Sequence, residues 1–170
     1  MAKSFQAVTL FACSALCLFS LLGVAHCGDS HFFVEGEVYC DTCRSQFITR
    51  VSEKMSGAKV RLECRGLEGG ELSYSIEGET DENGYYRLPV EGEHEEEICE
   101  VSLVKSSKPD CEEISTEGWA KSSSRISLTS NNGIASDKRL ANPLGFMAKE
   151  ALPECAEVFK EMGMLPAAAL

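Results

Sequence analysis

Positive charge, histidine, tryptophan and proline are all scarce in this chain, and each shortage closes off a class of function. Its 16 lysines and arginines face 27 aspartates and glutamates, a formal net charge of −11. That balance argues against nucleic acid as a partner and against tight adsorption to anionic membranes or polyuronates. Three histidines and no G-x-S-x-G elbow leave little material for histidine-assisted nucleophilic catalysis. Asn83, Asn131, Asn132 and Asn142 each lack Ser or Thr two positions on, so no N-glycan is expected. With 5 prolines, no proline-rich tract, no internal repeat and no heptads, a single domain is expected.

Long hydrophobic runs are also missing, apart from one at the start. Lys3 is followed by an uncharged, mostly apolar run from Val8 to Ala25, broken by Thr9, Ser14 and Ser20. This pattern predicts a cleaved secretory signal over residues 1–27 rather than a membrane anchor. A cut after Cys27 puts Ala25 and Cys27 at the small-residue sites, whereas a cut after Ala25 would leave Cys27 as an unpaired thiol. His26 before Cys27 makes a lipid anchor there unexpected. The mature chain, 28–170, then has 143 residues, a net charge of −12, and six cysteines: Cys40, Cys43, Cys64, Cys99, Cys111 and Cys155. An even number in an exported chain predicts three disulfides, with secretion to the extracellular space and no membrane span in the mature protein.

What remains reads as strands. Phe32, Val34, Val38 and Cys40 alternate with Phe33, Glu35, Glu37 and Tyr39, and Ala58, Val60, Leu62 and Cys64 alternate with Lys59, Arg61 and Glu63. Leu72, Tyr74 and Ile76 precede the turn signal Asn83-Gly84, and Tyr86, Leu88 and Val90 follow it, so a hairpin is expected. Pro89, at an outward position, predicts a sheet edge, because proline cannot donate a ladder hydrogen bond. Further strands are expected at Cys99–Leu103, at Ile126 and Leu128, and shortly after Asn131-Asn132-Gly133. The fold class is therefore all-β, an antiparallel barrel or sandwich of about seven strands. A short C-terminal helix is expected to dock on the sheets, with Pro153 in its first turn, a stripe of Val158, Phe159 and Met162, and Gly163 at its end.

The candidate chemistry is thin. Cys40-Asp41-Thr42-Cys43 has redox spacing but ends a strand rather than opening a helix, and no second C-x-x-C completes a zinc site. His31 and His94 have no metal-finger spacing and read as solvated surface residues. Asp81-Glu82-Asn83-Gly84 begins like a calcium loop but lacks the later ligands, and a turn accounts for it. The acidic residues could hide a paired-carboxylate site, though a charged surface is the simpler reading. Trp119 is either a partner-binding anchor or a core cap. No cofactor, metal or catalytic residue is expected.

Glu35-Gly36-Glu37-Val38-Tyr39-Cys40-Asp41-Thr42-Cys43-Arg44 resembles the signature of the pollen-protein family of the major olive-pollen allergen. The likeness continues through Gly84-Tyr85-Tyr86, His94, Ile98-Cys99-Glu100, Asp110-Cys111, Asn142-Pro143-Leu144-Gly145-Phe146 and Leu152-Pro153-Glu154-Cys155. The resemblance implies a secreted barrel or sandwich with bridges Cys40–Cys111, Cys43–Cys155 and Cys64–Cys99, a pairing that sequence alone leaves open. It also implies a non-enzymatic role in pollen hydration, germination or tube growth, allergenic potential, and binding to the extracellular domain of a receptor-like kinase. The expected function is a monomeric extracellular ligand or modulator whose partner surface includes Glu95, Glu96, Glu97 and Trp119. The alternative is a secreted inhibitor of proteases or cell-wall enzymes, which would need one exposed, conformationally locked loop.

Overall fold

One long strand, β1 (His31–Asp41), is shared by four neighbours, and the rest of the architecture follows from that. The computed structural model describes residues 31–67, 70–116, 123–130 and 133–164. The expected signal segment, 1–27, and Trp119 lie outside them. Among the described residues the later strands are β2 (Glu53–Lys54), β3 (Lys59–Gly66), β4 (Leu72–Glu79), β5 (Tyr85–Glu91) and β6 (Glu97–Lys105). They are followed by β7 (Ser123–Ile126), β8 (Lys138–Leu140) and β9 (Leu144–Met147), and by one helix, α1 (Cys155–Glu161). No helix among these residues is long and apolar enough to cross a membrane.

The first half of β1 lies between β5 and β8, and its second half between β2 and β9. β2 and β5 run antiparallel to it, but β8 and β9 run parallel, so the sheet is mixed rather than purely antiparallel. The second sheet is antiparallel, in the order β4-β3-β6-β7. Inward residues alternate as the pleat requires: Val60, Leu62 and Cys64 on β3, Tyr86, Leu88 and Val90 on β5, Cys99, Val101 and Leu103 on β6. The β3 and β6 residues face those of β5, together with Phe32, Val34, Val38, Leu144 and Phe146, across a sandwich core. Full burial of each such side chain contributes about 1.5–3 kcal/mol.

The expected hairpin is not formed. β4 pairs with β3, and β5 pairs with β1 in the other sheet. Thr80 explains the divergence: its hydroxyl donates to the Met55 carbonyl at 2.5 Å and accepts from Ala58 N–H at 2.9 Å, holding the end of β4 to the second sheet. Past the turn, the Gly84 carbonyl accepts from Val38 N–H at 2.8 Å and starts β5 against β1. Gly84, at φ +78°, passes so close to the backbone of Val38 and Met55 that a Cβ would fall 2.8 Å from the Val38 oxygen. β5 does lie at an edge, with Pro89 facing out, as proline demands.

The helix also differs from expectation. It begins at Cys155, two residues after Pro153, and Gly163 at φ +69° ends it. Val158 is buried, but Met162 is 46% exposed. The helix is attached to the segment after β1 rather than to a sheet face, through the Cys43–Cys155 bridge, Leu152 N–H donating to the Thr42 carbonyl, and the Arg50–Glu161 ion pair.

Candidate functional site

Two features stand out for function: the segment at the end of β1 and the loop between β5 and β6. The first begins at Glu35, whose carboxylate lies 3.5 Å from Arg87 on β5 and 3.4 Å from Lys138 on β8. Gly36 faces Tyr86 across the β1–β5 ladder, and a Cβ there would fall 2.4 Å from the Tyr86 hydroxyl. Tyr39 likewise covers Gly145 of β9. Each glycine is the space that a cross-strand ring occupies. Burial, with the charges of Asp41 and Glu37, pushes the Tyr39 phenol up to about 12, and burial alone raises Tyr86. Neither is placed to exchange a proton near neutral pH.

Asp41 organises the turn that follows. Its buried carboxylate accepts from Cys43 N–H at 3.1 Å, Gln46 N–H at 2.6 Å and the Ser45 hydroxyl at 3.2 Å. These bonds hold Arg44 and Gln46 in left-handed backbone (φ 54° and 66°), which disfavours side chains other than glycine. The Thr42 hydroxyl donates to the Val51 carbonyl at 2.8 Å. Arg44 donates to both oxygens of Glu113, at 2.7 and 2.8 Å, and to the Ala148 carbonyl. Those hydrogen bonds hold the Glu113 carboxyl below the usual carboxylate range. Cys40 bonds to Cys111 and Cys43 to Cys155, so the C-x-x-C thiols join two distant segments rather than each other. The signature therefore spends its polar groups and sulfurs on holding β1, β9 and α1 together.

The carboxylates of Glu35, Glu79 and Asp81 line one shallow groove of about 350 Å³, together with Tyr85 and Arg87. Each is already engaged: Glu35 as above, Glu79 by Lys59 at 3.3 Å, and Asp81 by the N–H groups of Asn83 and Tyr85. The last contact closes the Asp81–Gly84 stretch as a side-chain turn.

The loop from Glu91 to Glu97 leaves β5 through Gly92 at φ +93° and enters β6 beside the third bridge, Cys64–Cys99, which joins directly opposed residues of β3 and β6. Glu91, Glu93, Glu95 and Glu96 are exposed. His94, expected as a solvated residue, is buried instead: Nδ1 lies 2.7 Å from Glu97 Oε2, Nε2 lies 3.1 Å from the Glu91 carbonyl, and the ring is 4.9 Å from that of Tyr74. Glu97 is therefore an internal partner of His94. Donor atoms of Cys64, His94, Glu97 and Cys99 all lie within 4.8 Å of one another, but the two sulfurs are bonded to each other.

Of the expected partner residues, Glu95 and Glu96 are thus presented together, Glu97 turns inward, and Trp119 lies outside the described residues. Arg139 was not anticipated. On β8 it is 5% exposed and donates to the carbonyls of Ser127 and Thr129, each at 3.2 Å, and of Ser136 and Lys138. Its guanidinium also lies 4.5 Å over the Phe32 ring. It thereby joins β8 of one sheet to the segment after β7 of the other, where no ladder connects them.

Comparison with known proteins places this scaffold. A family model described as "Pollen protein Ole e 1 like" matches residues 30–163. An Olee1-like protein of Betula pendula is 62% identical over 152 residues, covering 89% of this chain and 91% of that protein. The anther-specific protein LAT52 of Solanum lycopersicum is 48% identical over 153 residues, covering 90% and 93% of the two chains. The crystal structure of the major plantain pollen allergen Pla l 1 aligns with a TM-score of 0.65 at 47% identity, covering 74% of this chain and 99% of that one.

Proposed function

The chain belongs to the family of pollen proteins like Ole e 1, and from that premise we propose that it is a secreted, non-enzymatic recognition protein of pollen. It acts as an extracellular ligand or modulator in hydration, germination or tube growth, as a monomer. Its partner is the extracellular domain of a receptor-like kinase carrying a basic patch. The relatives are named as pollen allergens and pollen-specific proteins, which supports the absence of a catalytic role and a potential for allergenicity. The apolar leader and the three bridges support secretion.

One observation carries the recognition reading: exposed carboxylates at Glu91, Glu95 and Glu96 share a loop whose β6 end is tied to β3 by the Cys64–Cys99 bridge. A fixed cluster of like charge steers a cationic surface during encounter. Reversing Glu95 and Glu96 to lysine should therefore slow association with purified receptor-kinase ectodomains about tenfold at low salt and flatten its salt dependence. Surface plasmon resonance across ionic strengths reads both. Unchanged association rates in the double variant, against an ectodomain that binds the parent chain, would remove the loop from the interface.

The inhibitor reading is weaker. The locked loop that could serve it, residues 44–46, has left-handed rather than extended backbone at Arg44 and Gln46, and the Arg44 side chain is bound to Glu113.

A further inference from the structure

The acidic loop is held by a histidine whose hydrogen bonds require one proton more than a neutral ring carries. The Nε2 atom of His94 faces a backbone carbonyl, which can only accept, so it bears hydrogen when that bond is made. A neutral ring then has a bare lone pair on Nδ1, aimed at the Glu97 carboxylate 2.7 Å away. Making both contacts at once therefore takes a further proton between Nδ1 and Oε2, whichever atom carries it. With the ring only 7% exposed, solvent cannot readily take over either bond.

The surroundings define the rest of the latch. β4 contributes the Tyr74 ring and Ser73, whose hydroxyl donates to the Cys64 carbonyl at 2.9 Å. From β3 and β6 come Cys64 and Cys99, whose joined sulfurs do not titrate. β1 places His31 opposite Glu91 in the ladder. In the loop itself, a Cβ on Gly92 would fall 3.9 Å from Nε2, and Glu91, Glu93, Glu95 and Glu96 are exposed.

We infer that a proton held between His94 and Glu97 latches the acidic loop closed, and that its loss releases the arm from Glu91 to Glu96. When the proton leaves, the ring can keep Glu97 only as the Nδ1–H form, which surrenders the Glu91 carbonyl. The closed loop binds one proton more than the open loop, so closure is favoured as pH falls and lost as pH rises. Burial pushes the Glu97 carboxyl up, yet the hydrogen bond and charge of His94 bring it below the usual carboxylate range. For its biological consequence the latch rests on the recognition reading, since it regulates that same surface.

The latch is tested on the whole mature chain with no partner present. Ring nitrogen shifts of His94 and amide protection factors for residues 91–97 are measured by NMR at about pH 5 and about pH 8, the span over which imidazoles commonly titrate. The wild-type ring should be protonated on both nitrogens at the lower pH, and loop protection should fall roughly tenfold at the higher, with β3 unchanged. In Glu97→Gln a side-chain amide can donate to Nδ1 of a neutral ring whose Nε2–H still holds Glu91, so the loop should stay closed at both pH values. Equal wild-type protection at both, or an unaltered pH response in Glu97→Gln, would overturn the latch. A failure to bind receptor ectodomains would instead sink the recognition reading and leave these measurements standing.

Discussion

Arg139→Met is expected to lower the unfolding free energy by about 3 kcal/mol and the melting temperature by roughly 10 °C. Methionine keeps most of the volume over Phe32 but leaves the carbonyls of Ser127, Thr129, Ser136 and Lys138 without the guanidinium that satisfies them. A buried cation surrounded by carbonyl oxygens has its desolvation offset only by those contacts, so both sides of the interaction depend on the same side chain. The effect is located at the gap between β7 and β8, where the two sheets have no shared ladder. Arg125→Met is the control: Arg125 is 69% exposed, paired with Glu100 at 3.3 Å, and should cost no more than about 0.5 kcal/mol. Thermal melts under non-reducing conditions distinguish the two, and equal melting temperatures for both variants would show that Arg139 does not join the sheets.

The second large effect is expected from replacing Cys43 and Cys155 together by alanine. These residues are 112 apart in sequence, but with Cys40–Cys111 intact the segment released is shorter, roughly 50 residues, and the loss comes to about 3–4 kcal/mol. The loss should be uneven. Without the bridge, the contacts left to α1 among the described residues include the Leu152–Thr42 hydrogen bond, the exposed Arg50–Glu161 pair and the burial of Val158. Its amides should exchange near the rate of open chain while those of β3 and β6 remain protected. Native-state hydrogen exchange reads this directly, and wild-type protection in α1 would mean that packing, not the bridge, holds the helix.

Where a strand had one wet face and one dry face, the sequence was a reliable guide. The alternation at Val60, Leu62 and Cys64, or at Tyr86, Leu88 and Val90, is the burial pattern itself. β8 reverses the rule: Arg139 points inward and Leu140 is 79% exposed. Hydropathy would place the leucine inside, because no local pattern shows that backbone carbonyls surround the inner position. β2 and β9 are too short to display a period, and their pairing comes from β1, not from their own residues. Asn83-Gly84 correctly marked a turn, but whether the strands beside it pair with each other is decided by the distant contacts of Thr80 and Gly84.

The candidate site was legible in the same uneven way. Glu95 and Glu96 could be read as a charged loop from composition alone. The burial of His94 could not, since it depends on Tyr74 and the Cys64–Cys99 bridge arriving from other strands. The resemblance pointed to the residues of the signature, and the geometry gives the physical reason for them: Gly36 and Gly145 make room for Tyr86 and Tyr39, Asp41 cages the turn, and Cys40 and Cys43 fasten two later segments. The signature thus builds the support, and the proposed recognition role falls to the loop from Glu91 to Glu97, well beyond it in the chain.

The scaffold holds its loops in place only if all six half-cystines are oxidised in the natural protein. Peptide mapping by mass spectrometry, on protein taken from pollen and digested without reduction, tests this most directly. It should yield peptides linked through Cys40–Cys111, Cys43–Cys155 and Cys64–Cys99 and no free thiol among them. A Cys40–Cys43 link, or an alkylatable thiol at any of the six, would contradict it.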